Sequence, residues 1–286
     1  IKPDSGKAHS NLATAYNDQG YLIEAIESYQ NAIDLAPNLV EAHSQLILLN
    51  RSIVSWDAIE EKLDLIMSLG VSGDSVIPFC MLPLDDSPDR QNKRAQRYAH
   101  QRFTNNPLPP ILRPDKAPSR LRIGYFSADF YDHTVTHLIC RMLELHDREQ
   151  FEIYAYSFGS MKEDAMRMKV IDAVDSFKDI HHMSDMDAAM LAREDRIDIA
   201  VDLTGYTKDC RSGIFAYRAA PIQINYLGYP GTIGADFMDY IITDQILVPE
   251  GSRQYLSEKV VQMPFSYMVT NNTREVSARE ITRSEM

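Results

Sequence analysis

Two histidines one helical turn apart, His133 and His137, follow Asp129 and Asp132 just past the apolar run Leu121-Arg-Ile-Gly-Tyr-Phe-Ser127. A neutral imidazole at a strand end can accept or relay a proton near neutral pH. The i, i+4 spacing also suits a metal, but neither an HExxH pattern nor a third ligand accompanies it, so no metal site is expected. A lone histidine more often caps a helix or meets solvent. Asp129 and Asp132 could orient His133 or cap the helix that follows. A second polar set, Thr204-Gly205-Tyr206-Thr207-Lys208, closes the apolar run 197–203. Lys208 and Arg211 could meet a phosphate or a carboxyl-rich partner, although a single lysine is more often a solvated charge. A third set closes the run Ile222–Leu227 with Gly228-Tyr229-Pro230-Gly231-Thr232-Ile233-Gly234. Three glycines and a proline there force the backbone through turns, with amides free to approach something closely. The run 239–243 ends on Asp244, and Asp202, alternating within its own run, is expected to face a neighbour's polar group.

These residues need a scaffold that brings strand ends together, and from Leu121 onward the pattern supplies one. Strand-like runs at 121–127, 151–158, 176–181, 197–203, 222–227, 239–243 and 259–263 alternate with helical patterns. The helix after the first run carries the stripe Val135, Leu138, Ile139, Met142 and Leu143, and His133 and His137 fall on its opposite face. Further helices are expected over 161–174, from a Ser184 cap to Arg193, and over 212–217, where Pro221 stops the pattern. Such alternation predicts a mostly parallel sheet covered on both faces, with ligands at the carboxyl ends of its strands. This half is Rossmann-like, but it carries neither GxGxxG nor a Walker loop, which argues against a dinucleotide or P-loop site.

The first hundred residues have a different period. Residues 5–39 read as two helices with Leu12, Ala13, Tyr16, Gly20, Ala25, Tyr29, Ala32 and Pro37 at the eight spacings of a tetratricopeptide repeat. A second repeat opens at Glu41-Ala42-His43, with Leu46 in register, and then departs. A helix is expected over 55–70, turns over 71–90, a charged helix over 89–103, and a linker with five prolines over 105–118. The expected organisation is a repeat region at 1–50, a helical connector and linker at 51–118, and an α/β lobe at 119–286.

The 286 residues suffice for about two domains. A net charge of −12 argues against a nucleic-acid partner, because phosphate neutralisation needs a basic face. Three widely spaced cysteines make neither a zinc site nor a disulfide framework and fit a reducing, cytoplasmic setting. No run approaches the ~18 apolar residues of a membrane span, and no signal peptide is visible. The chain opens at Ile1 in mid-pattern, and further repeats are expected before it, since about three are needed for stability.

Three long segments carry a family likeness: SRLRIGYFSADFYDHTVTHL, DIAVDLTGYTKDCR and APIQINYLGYPGTIGADFMDYIITDQILVP. They resemble the amino-terminal catalytic half of protein O-linked N-acetylglucosaminyltransferases, enzymes whose catalytic lobes follow a tetratricopeptide superhelix. The resemblance covers essentially all of 5–265. It implies an α plus α/β chain whose Rossmann-like lobe is one half of a GT-B fold. It also implies UDP-N-acetylglucosamine as donor, no metal or other cofactor, inverting transfer to serine or threonine hydroxyls, and protein or peptide acceptors chosen by the repeats. On this likeness the active-site histidine falls on His133, with Asp129 and His137 beside it. The cleft-lining turns fall on Gly205, Tyr206, Thr207 and Lys208, and on Leu227, Gly228, Tyr229, Pro230, Gly231 and Thr232. Tyr206 stands where many bacterial relatives have histidine, and which group acts as base is open in the family. The family's donor site belongs chiefly to a second lobe, of which 270–286 shows no sign, so efficient transfer by these residues alone is not expected. The competing expectation is a non-catalytic tetratricopeptide adaptor carrying a degenerate lobe.

Overall fold

A computed structural model describes residues 4–104, 107–111, 118–273 and 283. Helices α1 (Gly6–Asp18) and α2 (Leu22–Leu35) form the expected hairpin, and α3 (Val40–Ser52) stacks on α2. Ser5 caps α1 by accepting the Ala8 amide, and Gly20, at φ +81°, makes the turn. Ala13, Ala25 and Ala32 are wholly buried at the helix contact, where Tyr29 bonds Thr14 at 2.9 Å. The single helix expected over 55–70 is two short ones, α4 (Trp56–Glu60) and α5 (Leu63–Ser68), and no Gly or Pro marks the break. Within the expected turn region lies a further short helix, α6 (Pro78–Met81).

Helix α7 (Pro88–Arg102) is the expected charged helix, and it is clamped on both sides. Arg94 has no exposed surface. It donates to Asp85 at 2.5 Å and to the carbonyls of Leu69 and Ile66 at 2.8 and 2.6 Å. A buried guanidinium is tolerable because every donor direction used here meets a carboxylate or carbonyl. On its other side α7 presents Ala95, Ala99 and Tyr98, followed by Phe103, to the α/β lobe.

The lobe alternates as expected: β1 (Leu121–Ser127), α8 (Thr134–Leu145), β2 (Phe151–Ser157), α9 (Ala165–Ala173), β3 (Ser176–Asp179), α10 (Asp185–Glu194), β4 (Ile199–Asp202), α11 (Gly213–Ala216), β5 (Ile222–Asn225), β6 (Tyr240–Asp244), a 3-10 turn (Glu250–Tyr255) and β7 (Lys259–Met263). The seven strands are all parallel in the order β3-β2-β1-β4-β5-β6-β7. The chain builds outward from β1, returns to β1's other side as β4, and then builds the opposite way. The crevice between β1 and β4 is therefore the topological switch point, where an open sheet leaves room for a ligand. One sheet face packs Tyr125, Ile153, Ala155 and Val201 against Ile139, Leu143 and Val170 of α8 and α9. The other packs Phe126, Tyr156 and Ala200 against α10, α11 and α7.

Candidate active site

At the end of β1 the backbone is pinned from three directions. The Asp129 amide donates to Ser127 Oγ at 3.0 Å, the Ala128 amide to Thr204 Oγ1 at 3.2 Å, and the Phe158 amide to the Ser127 carbonyl at 3.1 Å. A Cβ at Gly159 would stand 1.7 Å from the Ala128 oxygen, so the loop after β2 presses directly on this corner. His133 is the N-cap of α8. Its Nδ1 accepts the Val135 amide at 3.3 Å, and the same nitrogen lies 3.6 Å from Asp129 Oδ1. Burial raises the Asp129 carboxyl above its ordinary range, His133 opposes that shift and Asp209 adds to it. The His133 side chain is 39% exposed, so its ring is open to solvent at the end of β1.

His137 does not join His133. It bonds Asp132 Oδ1 at 2.7 Å on the exposed side of α8, while the Asp132 amide donates to Asp164, the N-cap of α9. Each histidine thus has its own carboxylate, and among the described residues no three acidic, histidine or cysteine side chains group as a cation site. His137 instead borders a cavity of about 680 Å3 with Thr134, Arg141, Lys169 and Asn271, outside the strand-end crevice.

The turn after β4 is folded by a carboxylate. Asp202, almost wholly buried, accepts the amides of Thr204 and Gly205 at 2.9 Å each and the Ser212 hydroxyl at 3.2 Å. Burial pushes its carboxyl upward against those hydrogen bonds. Gly205, at φ +53°, is required twice over, since a Cβ there would also lie 2.4 Å from Tyr229 Cβ. Thr207 closes the turn on the Thr204 carbonyl at 2.9 Å, and Lys208 projects exposed at its tip. Arg211 is committed elsewhere, to Asp185 and to the Ile180 and Met183 carbonyls.

The turn after β5 starts with Leu227 at φ +69°, where the Gly228 amide reaches back to the Tyr226 carbonyl at 2.9 Å. Positive φ in a leucine is a costly conformation held by its surroundings. Gly228 sits against the backbone just past β4, with a Cβ position only 1.9 Å from the Leu203 oxygen. Asn225 then donates to the Gly231 carbonyl at 2.9 Å. Glu258, just ahead of β7, accepts the Thr232 hydroxyl at 2.5 Å and the Ile233 amide at 2.6 Å. Nothing in the sequence marked Glu258, because its partners are a quarter-hundred residues away.

The structure therefore sorts the residues singled out from the sequence. Asp129 and His133 meet at the end of β1, and the Gly205–Lys208 and Leu227–Thr232 turns meet beside it through Gly205, Gly228 and Tyr229. Lys208 and Pro230 are exposed, and Thr207, Gly228 and Gly231 are half-buried. Tyr206, Tyr229 and Thr232 point into the interior. Tyr206 is fully buried, donates to the Ile233 carbonyl at 2.7 Å, and packs on Tyr98 at 4.8 Å and on Phe103. Tyr229 packs on Tyr206 at 5.4 Å and on Phe79 of α6 at 6.4 Å. These two tyrosines fasten the site turns to the helical connector, and their hydroxyls are pushed far above the ordinary phenol range by burial.

Residues 107–282, more than half of the chain, match the family described as glycosyl transferase family 41. The chain belongs to glycosyl transferase family 41. A probable UDP-N-acetylglucosamine–peptide N-acetylglucosaminyltransferase, SEC, of Arabidopsis thaliana is 37% identical over 171 residues, which cover 57% of this chain and 18% of that protein. The UDP-N-acetylglucosamine–peptide N-acetylglucosaminyltransferase of Caenorhabditis elegans is 38% identical over 156 residues, covering 54% of this chain and 14% of that one. A lysine-to-methionine mutant of the O-GlcNAc transferase of Thermobaculum terrenum superposes with a TM-score of 0.67 at 28% identity, over 93% of this chain and 46% of that one. This family 41 chain thus spans under half the length of each of these three relatives. Its helical segments and seven-stranded parallel sheet are those of a Rossmann-like lobe of a GT-B enzyme. No helix among the described residues is long and apolar enough to cross a membrane.

Proposed function

We propose that this chain forms the first lobe of a protein O-GlcNAc transferase, which moves N-acetylglucosamine from UDP-N-acetylglucosamine to serine or threonine hydroxyls with inversion. The observation that carries the reading is the meeting of the Asp129–His133 pair with two backbone turns at the switch point of a family 41 sheet. The transfer needs an oxygen held in line with the sugar carbon, a route for the hydroxyl proton, and stabilisation of the leaving diphosphate. With Nδ1 accepting the Val135 amide, a neutral His133 carries its proton on Nε2 and presents a hydrogen-bond donor to a substrate oxygen. Asp129, its carboxyl raised by burial and 3.6 Å from Nδ1, acts on that ring through its charge. Lys208, exposed at the tip of the β4 turn, supplies positive charge beside the strand ends, and the half-buried Gly228 and Gly231 keep the β5 turn free of side chains. Protein or peptide acceptors are held by the helical repeat, the reaction uses no metal or other cofactor, and the protein works in the cytoplasm.

The test is intact-mass analysis of an acceptor protein pool incubated with UDP-N-acetylglucosamine and the full-length gene product containing this chain. A gain of one N-acetylhexosamine, abolished by His133→Asn, is the expected result. A folded wild-type protein that adds no sugar to any member of a broad pool would overturn the reading in favour of an adaptor.

A further inference from the structure

The loop 129–133 carries His133 from the end of β1 into α8, and the loop between β2 and α9 holds it there. Phe130 is buried, its ring centre 6.1 Å from that of Phe177, whereas Tyr131 is half-buried and Asp132 exposed. The Tyr131 amide stays within the loop, donating to the Asp129 carbonyl at 2.7 Å. The Asp132 amide, the last before His133, reaches outside it and donates to Asp164 Oδ2 at 2.7 Å.

Asp164 uses its two oxygens for two tasks. Oδ1 caps α9 by accepting the amides of Met166 and Arg167 at 3.0 and 2.9 Å, which leaves Oδ2 for Asp132. Such a charge-assisted bond is stronger than one between neutral groups. The Asp132 amide is the foremost cause holding the Asp164 carboxyl below its ordinary range. The support is itself firm. Arg167, buried one turn on, donates to Ser157 Oγ at 3.0 Å and to Asp179 at 2.7 Å, and lies 4.7 Å over the Phe177 ring. At the other end of the same loop, Phe158 and Gly159 press on the corner of β1. Between these anchors Lys162 sets its ammonium 4.9 Å above the Tyr131 ring, whose centre is 5.6 Å from that of the His133 imidazole. One loop therefore braces the two residues before His133, while the Val135 amide holds the ring from the helix side.

We infer that Asp164 is a positioning residue for the transfer site, holding His133 in place through the Asp132 amide. This rests on the function proposed above, in which His133 Nε2 meets a substrate oxygen. A displacement of about 1 Å at that nitrogen suffices for a loss on the order of 10²-fold, even with the imidazole intact.

Asp164→Asn separates the two tasks. The two amides of α9 draw its oxygen to the cap, and its N–H2 group is left facing the Asp132 amide, donor against donor. Asp164→Ser likewise keeps a cap and is too short to reach both partners. In the full-length gene product both variants should melt near the wild-type temperature and lose about 10–100-fold in kcat, with the KM for UDP-N-acetylglucosamine nearly unchanged. Exchange of the imidazole C2 hydrogen for deuterium, read by mass spectrometry, should quicken at His133 in both. Ser184→Ala, which removes the cap of α10 on the other face of the sheet, is the comparison. It should lower the melting temperature and leave kcat and His133 exchange as they were. Unchanged kcat or unchanged His133 exchange in the Asp164 variants, or the same losses in Ser184→Ala, would overturn the inference. A folded wild-type protein that transfers no sugar would overturn the proposed function instead, and exchange at His133 would still decide whether Asp164 holds the ring.

Discussion

His133 performs two tasks that a single substitution to alanine would confuse. Its Nδ1 caps α8 and its ring lies partly exposed beside Asp129. Asparagine can keep the cap, because its side-chain oxygen accepts the same amide, but it has no imidazole. His133→Asn should therefore melt near the wild-type temperature and lose about 10²–10⁴-fold in turnover. His133→Ala should lose the same turnover and a further ~0.5–2 kcal/mol of stability. Thermal melts beside steady-state rates separate the two, and a fully active His133→Asn protein would remove the ring from the chemistry. At this scale the closeness of Asp129 to His133 was legible, since four residues of turn between a strand and its helix leave the two side chains few other places to go. Tyr206, Tyr229 and Thr232 were not, because a loop aromatic or hydroxyl has the same one-dimensional signature whether it faces a ligand or a core. Here Tyr98, Phe103, Phe79 and Glu258, all distant in sequence, turn them inward.

Among the elements, the strand ends share one device: a buried carboxylate that folds the following turn by accepting its amides. Asp202 does so after β4 and Asp244 after β6, where it takes the amides of Ile246, Leu247 and Tyr267. Those bonds, Leu247's foremost, hold the Asp244 carboxyl below its ordinary range. Glu258 serves the β5 turn from across the sheet. An amide in its place would set an N–H2 group against the Thr232 hydroxyl or the Ile233 amide, so Glu258→Gln should cost about 1–3 kcal/mol at neutral pH. Burial raises the Glu258 carboxyl, against hydrogen bonds from Thr232 and Ile233. A raised folded value makes its contribution complete below the unfolded value of about 4.3 and diminishes it as pH rises through the folded value. The stability gap between wild type and Glu258→Gln, read from urea midpoints, should therefore narrow as pH rises from about 4 to 8. A gap that widens with pH would contradict this assignment. The strands themselves were legible from their apolar runs, with ends drawn in by a residue or two where turns begin, as at β4. The α4–α5 break was not, because no breaker residue marks it.

At the scale of the whole molecule, the helical region is part of the site's support. Helix α7 lies against the loop at Gly234, where φ is +70° and a Cβ would come within 2.4 Å of the Ala95 backbone. Tyr98 and Phe103 hold Tyr206, and Phe79 touches Tyr229, so both cleft turns are backed by the connector. The Asp85–Arg94 pair in turn fixes α7 to the segment carrying Leu69 and Ile66. Composition alone could not show this, since a helix so rich in Arg, Lys and Gln reads as solvated on all sides. In the proposed function, sugar transfer takes place at the β1/β4 switch point, with the donor facing turns held in this way. Hydrogen–deuterium exchange of the full-length gene product with and without UDP-N-acetylglucosamine tests it most directly. Protection gathered at 128–135, 204–209 and 227–233 is the predicted result. Protection confined to the α8–α9 cavity around His137 and Lys169, or no protection at these turns despite saturating donor, would contradict it.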